Sequence, residues 1–154
     1  MRPERLALSA FGPFGESVEV DFTAFGGKEL FLIEGPTGAG KTSLLDGMCF
    51  ALYGTVPGVR AEVGVQLRST HARAEVPTEA TLIFGLGPER YRVVRNPEYH
   101  RPKLRGAGLA KQTAGASLER WEDAAWTPVT SGAKQVSLKI EELLGLSVDQ
   151  FKQV

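Results

Sequence analysis

One stretch carries residue types at a spacing that handles phosphate: Gly35-Pro36-Thr37-Gly38-Ala39-Gly40-Lys41-Thr42. It fits G-x-x-x-x-G-K-[ST] at every defined position, the pattern of a phosphate-binding loop. Glycines let the backbone turn tightly and bring its N–H groups close to phosphate oxygens. A helix that starts where the loop ends adds the positive end of its dipole. In such a loop Lys41 reaches the β- and γ-phosphates of a nucleotide, and Thr42 places its hydroxyl on Mg²⁺. Ser43 follows on the same helix end, within reach of the α-phosphate. The expected nucleotide contacts are therefore Gly35, Pro36, Thr37, Gly38, Ala39, Gly40, Lys41, Thr42 and Ser43, with Lys41 as the catalytic cation and Thr42 as the metal ligand.

The pattern can arise by chance, so the elements around it matter. Before it, Leu30-Phe31-Leu32-Ile33-Glu34 is a short apolar run that reads as a buried strand. After it, Leu44, Leu45, Met48, Cys49 and Leu52 recur at helical spacing, and Gly54 stands where a C-terminal cap belongs. A glycine-rich turn with a merely structural role would leave Lys41 and Thr42 at the helix mouth unexplained.

Further back, residues 5–11 place Leu6, Leu8 and Ala10 on one strand face, and residues 17–22 do the same with Val18, Val20 and Phe22. With the turn Gly12-Pro13-Phe14-Gly15 between them they predict an antiparallel hairpin. Residues 55–74 read as mostly loop, with order in Val65-Gln66-Leu67-Arg68. Residues 78–84 and 89–95 predict two strands around Gly85-Leu86-Gly87-Pro88. Residues 97–116 are rich in Gly and Pro and hold Arg101, Lys103, Arg105 and Lys111 against one acid, Glu98. Residues 118–121 and 126–129 read as strands. Ser131 is placed to cap a helix that runs to Leu144 with Val136, Ile140, Leu143 and Leu144 as its stripe, and Gly145 ends it. Ser147-Val148-Asp149-Gln150 has the form of a capping box for one more turn.

The bulk numbers fit one domain. The chain has 154 residues, 42% hydrophobic and 23% charged, with zero formal net charge. Global charge therefore argues for neither a nucleic-acid nor a membrane partner. The one cysteine, Cys49, permits no internal disulfide and reads as a core residue. No stretch suits a signal peptide or a membrane span, so a cytoplasmic protein is expected. A hydrolytic acid is not visible. Leu82-Ile83-Phe84 leads into Gly85, and Val18-Glu19-Val20-Asp21 is an alternating strand.

Several segments together resemble the N-terminus of the SbcC family, the ATPase subunits of bacterial SbcCD nucleases. They are Ala10-Phe11-Gly12-Pro13-Phe14-Gly15, residues 30–42, Leu44-Leu45-Asp46 and Cys49-Phe50-Ala51-Leu52-Tyr53-Gly54. Leu67-Arg68-Ser69, Glu89-Arg90-Tyr91-Arg92-Val93, Pro97-Glu98-Tyr99 with Arg101-Pro102-Lys103, residues 140–146 and Asp149-Gln150-Phe151 add to it. Relatives include the ATPase subunits of archaeal and eukaryotic double-strand-break nucleases and, more distantly, SMC proteins. The resemblance implies an ABC-type ATPase head, an α/β phosphate-loop NTPase built from both ends of a long coiled-coil polypeptide. Residues 1–154 would be its N-terminal lobe, an antiparallel subdomain beside the phosphate-loop sheet with the helix over residues 41–53 between them. The signature motif, acidic strand end and switch histidine would lie in the other lobe. The glutamine loop would follow Val154, so Gln153 is not it.

The resemblance also implies ATP and Mg²⁺ as cofactors and three partners: a metal-dependent SbcD-like nuclease subunit, a second head copy and double-stranded DNA. The implied function is ATP-driven head dimerisation that controls a nuclease acting on double-strand ends and hairpins, in the nucleoid. The alternative is a structural SMC-type DNA-organising ATPase without a nuclease. A small phosphate-loop kinase is disfavoured by the hairpin before the loop. Arg68 resembles an arginine that SMC-type heads place near nucleotide or DNA; its plain reading is an exposed loop arginine. Arg101, Lys103, Arg105 and Lys111 are candidate DNA contacts or a solvated basic loop. His71 and His100 read as surface residues, Trp121 and Trp126 as packing residues, and Asp46 as structural. Gly12-Pro13 occupies the stretch where archaeal and eukaryotic relatives carry an Arg-Ser pair.

Overall fold

The computed structural model describes residues 1–26, 32–57, 67–103 and 107–151. The alternation read from the first residues becomes β1 (Arg2–Phe11) and β2 (Phe14–Asp21), an antiparallel hairpin. Asp21 then caps a turn of 3-10 helix over Phe22–Phe25, accepting from the Thr23 N–H at 2.9 Å. Phe22 is thus the buried start of that turn and not the end of the strand.

Helix α1 runs over Lys41–Tyr53, as the spacing predicts. Strands β3 (Glu79–Leu86) and β4 (Glu89–Asn96) form the expected hairpin. Residues 97–116, distinctive in sequence only for composition, contain a second small hairpin, β5 (Tyr99–Pro102) and β6 (Leu109–Gln112). Strands β7 (Gly115–Glu122) and β8 (Ala125–Ser131) follow, then α2 (Ala133–Leu144) and α3 (Val148–Phe151). The main sheet is wholly antiparallel with order β2-β1-β3-β4-β7-β8.

Register explains the core. Val20, Leu6, Leu82, Val93 and Leu118 stand opposite one another across five strands. Leu6, Leu82, Val93 and Leu118 are fully buried. Each such side chain contributes about 1.5–3 kcal/mol of burial. A second row runs Val18, Leu8, Ala80, Arg95, Ala116. Helix α1 lies on these rows and buries Cys49, Phe50, Ala51 and Leu52 against them.

Three expectations are corrected. The helix stripe is rotated: Leu45 is exposed and Leu44 and Met48 are half-buried, whereas Asp46, Gly47 and Phe50 are inside. Apolar residues occupy nearly every side of α1, so spacing alone does not select the inner face. Ser131 is not a cap. It is the last residue of β8, paired with Ser117, and Gly132 begins α2 with no side-chain cap. The run before the phosphate loop is not a buried strand where it is described. Residues 32–34 have no strand pairing, and Leu32 is 82% exposed. A strand needs a neighbour, and among the described residues none pairs with it; Leu30 and Phe31 lie outside them.

The ends of α1 are held tightly. At its C-terminus Gly54, at φ 77, returns its N–H to Phe50 O at 2.7 Å. Buried Arg95 donates to Ala51 O at 3.1 Å and Leu52 O at 3.0 Å, and crosses to Ala133 O of α2 at 3.2 Å. Ser137 Oγ donates to Tyr53 O at 3.1 Å. The last-turn carbonyls, which a helix cannot satisfy itself, are thereby paired. Burial lowers the Arg95 guanidinium to about 10, still far above neutral, so the charge persists. The predicted capping box forms at α3: Ser147 N–H donates to Gln150 Oε1 at 2.9 Å, and Gln150 N–H to Ser147 Oγ at 3.4 Å.

Mid-helix, Gly47 allows α1 to touch the sheet. A Cβ there would lie 2.5 Å from Leu8 Cδ2 and 2.8 Å from Cδ1. Leu8 is fully buried and cannot swing away. An exposed helical Gly→Ala change gains about 1 kcal/mol in helix propensity. Here overpacking costs roughly 1–3 kcal/mol and dominates. Gly47→Ala should therefore lower stability by about 1 kcal/mol in chemical denaturation. A stabilised variant would mean that the contact is slack.

Candidate functional site: a phosphate loop seated on a hairpin turn

The loop of residues 35–42 leads directly into α1. Gly38 and Gly40 both sit at φ 86, a region that side chains with a Cβ rarely adopt. A turn closes within the loop, with Ala39 N–H donating to Pro36 O at 3.2 Å. Gly40 is the N-cap of α1 and offers no side-chain acceptor, and the first turn holds no acid. The first helical N–H groups, together with the dipole, therefore favour an anion at the mouth of the helix.

Lys41 folds back across the loop. Its ammonium donates to Gly35 O at 2.7 Å and Pro36 O at 2.9 Å. These carbonyls carry no net charge, so they do not cancel that of the lysine. Thr42 is exposed at the helix mouth and half-buried Ser43 sits beside it. Pro13, Thr37, Gly38, Gly40, Lys41, Thr42 and Ser43 line one open cleft of ≈ 350 Å³. The donor set fits a polyphosphate: backbone N–H groups, one ammonium and the three hydroxyls of Thr37, Thr42 and Ser43, with glycines where a side chain would intrude. No cluster of three metal-ligating side chains occurs among the described residues. Thr37, Thr42 and Ser43 bring the side-chain hydroxyl oxygens that line the cleft.

Pro13 is the lining residue that lies outside the continuous stretch of residues 35–43. The turn of Gly12 and Pro13 between β1 and β2 lies against the loop, with Gly12 facing Ser43. Its signal in the sequence is the resemblance itself, which marks this stretch as the one where relatives differ.

The candidate DNA contacts lie elsewhere. Arg68 is half-buried and committed to its own loop, donating to Val76 O and Thr78 Oγ1 at 2.7 Å each and Arg73 O at 2.8 Å. Its guanidinium also lies 4.9 Å from the Tyr99 ring centre. Arg101 and Lys111 are on the β5–β6 hairpin and Lys103 follows β5; Arg105 lies outside the described residues, as do Val65, Gln66 and Gln153. Lys111 pairs with Glu98 at 2.9 Å, and Arg101 donates to Gln112 Oε1 at 3.1 Å. None of the described ones, Arg68, Arg101, Lys103 and Lys111, lines the phosphate cleft.

The remaining polar candidates read as the sequence suggests. His71 and His100 are exposed, Asp46 and Cys49 are buried, and Trp121 packs edge-on to Trp126 with ring centres 5.1 Å apart. No helix among the described residues is long and apolar enough to cross a membrane.

Comparison with known proteins agrees with this geometry. The chain is 42% identical over 154 residues to the SbcC subunit of the SbcCD nuclease of Vibrio cholerae. It is 37% identical over 157 residues to the protein of that name from Lactococcus lactis, and 38% over 158 residues to that from Treponema pallidum. Each alignment covers 100% of this chain. It covers only 14–15% of each relative, so the chain spans about a seventh of their length. The resemblance seen in the flanking segments is thus borne out along the whole chain. A family model described as AAA domain matches residues 5–144, and with its phosphate loop and mixed α/β fold the chain belongs to that family of phosphate-loop NTPases.

Proposed function

We propose that this chain is the ATP-binding N-terminal lobe of a DNA-repair ATPase whose heads act with a metal-dependent nuclease subunit, in the cytoplasm and at the nucleoid. The observation that carries the reading is the phosphate loop, with Lys41 held by carbonyls and, among the described residues, by no acid, in a chain that resembles SbcC proteins from end to end. The relatives' name favours a nuclease-linked ATPase over a purely DNA-organising one.

The residues divide the work. Main-chain N–H groups at the start of α1 orient the polyphosphate of ATP. Lys41 exchanges the carbonyls of Gly35 and Pro36 for β- and γ-phosphate oxygens. Thr42 directs its hydroxyl to Mg²⁺, which when bound neutralises charge on the phosphates. Ser43 holds the α-phosphate side. The exposed 32–34 segment is where the complementary lobe would add strands, bringing the acid that activates water. A second head would complete each nucleotide site, and ATP would close the pair over double-stranded DNA ends or hairpins.

Three measurements test this reading. In the full-length protein, Lys41→Ala should weaken ATP binding at least about tenfold and abolish turnover, since it removes the cation facing the transferred charge. Unchanged ATP affinity would reject the site. Residues 1–154 alone should not turn over ATP, and the C-terminal head segment added in trans should restore hydrolysis. Lys41-dependent turnover by the isolated chain would reveal a catalytic acid within it.

The third concerns the basic hairpin. Its Lys111–Glu98 ion pair is exposed, and exposed pairs are worth about 0–1 kcal/mol, so DNA phosphates can replace it cheaply. Neutralising Arg101, Lys103, Arg105 and Lys111 together should weaken DNA binding by the assembled head. It should flatten log affinity against log salt by about 0.9 for each phosphate no longer neutralised. ATP affinity should stay the same. Unchanged DNA affinity and slope would turn attention to the nuclease subunit, testable by pull-down with the same variant.

A further inference from the structure

The phosphate loop does not stand alone; an aromatic ring supports it. A Cβ on Gly40 would lie 2.5 Å from Phe14 Cζ and 2.9 Å from Phe14 Cε1. The ring therefore rests against the α-carbon of the glycine that begins α1. Phe14 is half-buried, opens β2 and packs on the edge of the core.

The turn that presents Phe14 is itself fixed from behind. Gly12 N–H donates to Leu67 O and Ser69 N–H to Ala10 O, both at 2.8 Å. Phe11 forms an isolated bridge with Arg68, whose guanidinium pins the loop of residues 67–78. Ala10 is fully buried at φ 46, in a bulge where an alanine is strained. Strain of this kind persists only where the surroundings over-determine it, and it concentrates near functional sites.

We propose that Phe14 is a positioning residue for the phosphate loop. By bearing on Gly40 it holds the left-handed cap so that the N–H groups of Lys41 and Thr42 face the cleft. The inference rests on the reading of this cleft as an ATP site. It concerns binding geometry and not a chemical step, because Phe14 has no group that can exchange a proton.

The test uses full-length protein carrying Phe14→Ala, Phe14→Leu or Lys41→Ala. MgATP affinity, steady-state KM and kcat, and the melting temperature without nucleotide are measured. Displacing a binding group by a fraction of an ångström suffices to raise Kd and KM for MgATP about tenfold in Phe14→Ala, with kcat at saturation changed less. Leucine keeps apolar volume but lacks the ring atoms that touch Gly40, so Phe14→Leu should fall between, at about threefold. A merely structural Phe14 would lower the melting temperature and leave the affinity of the folded protein at the wild-type value, which overturns the inference. If Phe14→Ala does not fold, Phe14→Leu decides: wild-type Kd overturns the inference, and a raised Kd with little change in melting temperature supports it. Failure of the underlying reading looks different, since wild-type protein would then bind no MgATP or bind it without needing Lys41.

Discussion

Arg95 is the interaction on which the placement of everything else depends. It is 3% exposed, yet it carries a charge into the helix-sheet interface. Burying an ion costs several kcal/mol unless hydrogen bonds satisfy it. Here the guanidinium donates to Ala51 O, Leu52 O, Ala133 O and Ser137 Oγ. Three of these acceptors are carbonyls, two of them at the end of α1, where the dipole favours a cation. The arrangement is stable only while α1, α2 and β4 keep their mutual positions. Helix α1 has 13 residues and so spans roughly 20 Å from this clamp to the phosphate loop. Rotation of the helix about its axis would break the Arg95 bonds and drive Gly47 off Leu8. The direction in which Lys41 and Thr42 face is thus set in part at the opposite end of the helix.

Two contacts, one at each end, make α1 a rod with defined ends. At the C-terminus Gly54 leaves room for Arg95, since a Cβ there would lie 2.6 Å from its Nη1. At the N-terminus Gly40 leaves room for Phe14. In both places a glycine at positive φ also makes the turn, so the same residue answers to backbone geometry and to packing. A single substitution at either position would violate both.

Much of this is legible in the sequence because it is local. The phosphate motif, the β3–β4 hairpin, the end of α1 at Gly54 and the Ser147–Gln150 box depend on neighbours within a few residues. Arg95 is partly legible: period two in β4 puts Tyr91, Val93 and Arg95 on one face, and that face is inside. Its acceptors are not, since Ala51 and Ser137 are brought to it only by tertiary packing. The inner face of α1 is hidden because Leu44, Leu45 and Met48 match the buried residues in hydrophobicity. The capping role expected of Ser131 loses to pairing with Ser117, which extends β8 to the very residue expected to cap the helix. The β5–β6 hairpin is masked by its prolines and charges, and the role of Phe14 by a turn that looks complete in itself.

The charges follow the same division between scaffold and site. Formal charge sums to zero, and many charged groups neutralise one another on the antiparallel sheet. Arg90 pairs with Glu4 at 2.7 Å, Arg92 with Glu119 at 2.5 Å, and Arg120 with both Glu89 and Glu122. Hydrogen bonds from Tyr91 and Arg120 hold the Glu89 carboxyl below its ordinary range. None of the ion pairs among the described residues involves Lys41. Its ammonium is held by two carbonyls, which position a cation without cancelling it. A carboxylate in their place would have to be displaced, against full charge–charge attraction, before a phosphate could enter. Carbonyl dipoles can be exchanged for phosphate oxygens at small cost, because the incoming charge interacts more strongly with the ammonium than the outgoing dipole does. A sheet that uses its own acids on its own arginines thereby leaves the cation at the helix mouth available to a ligand.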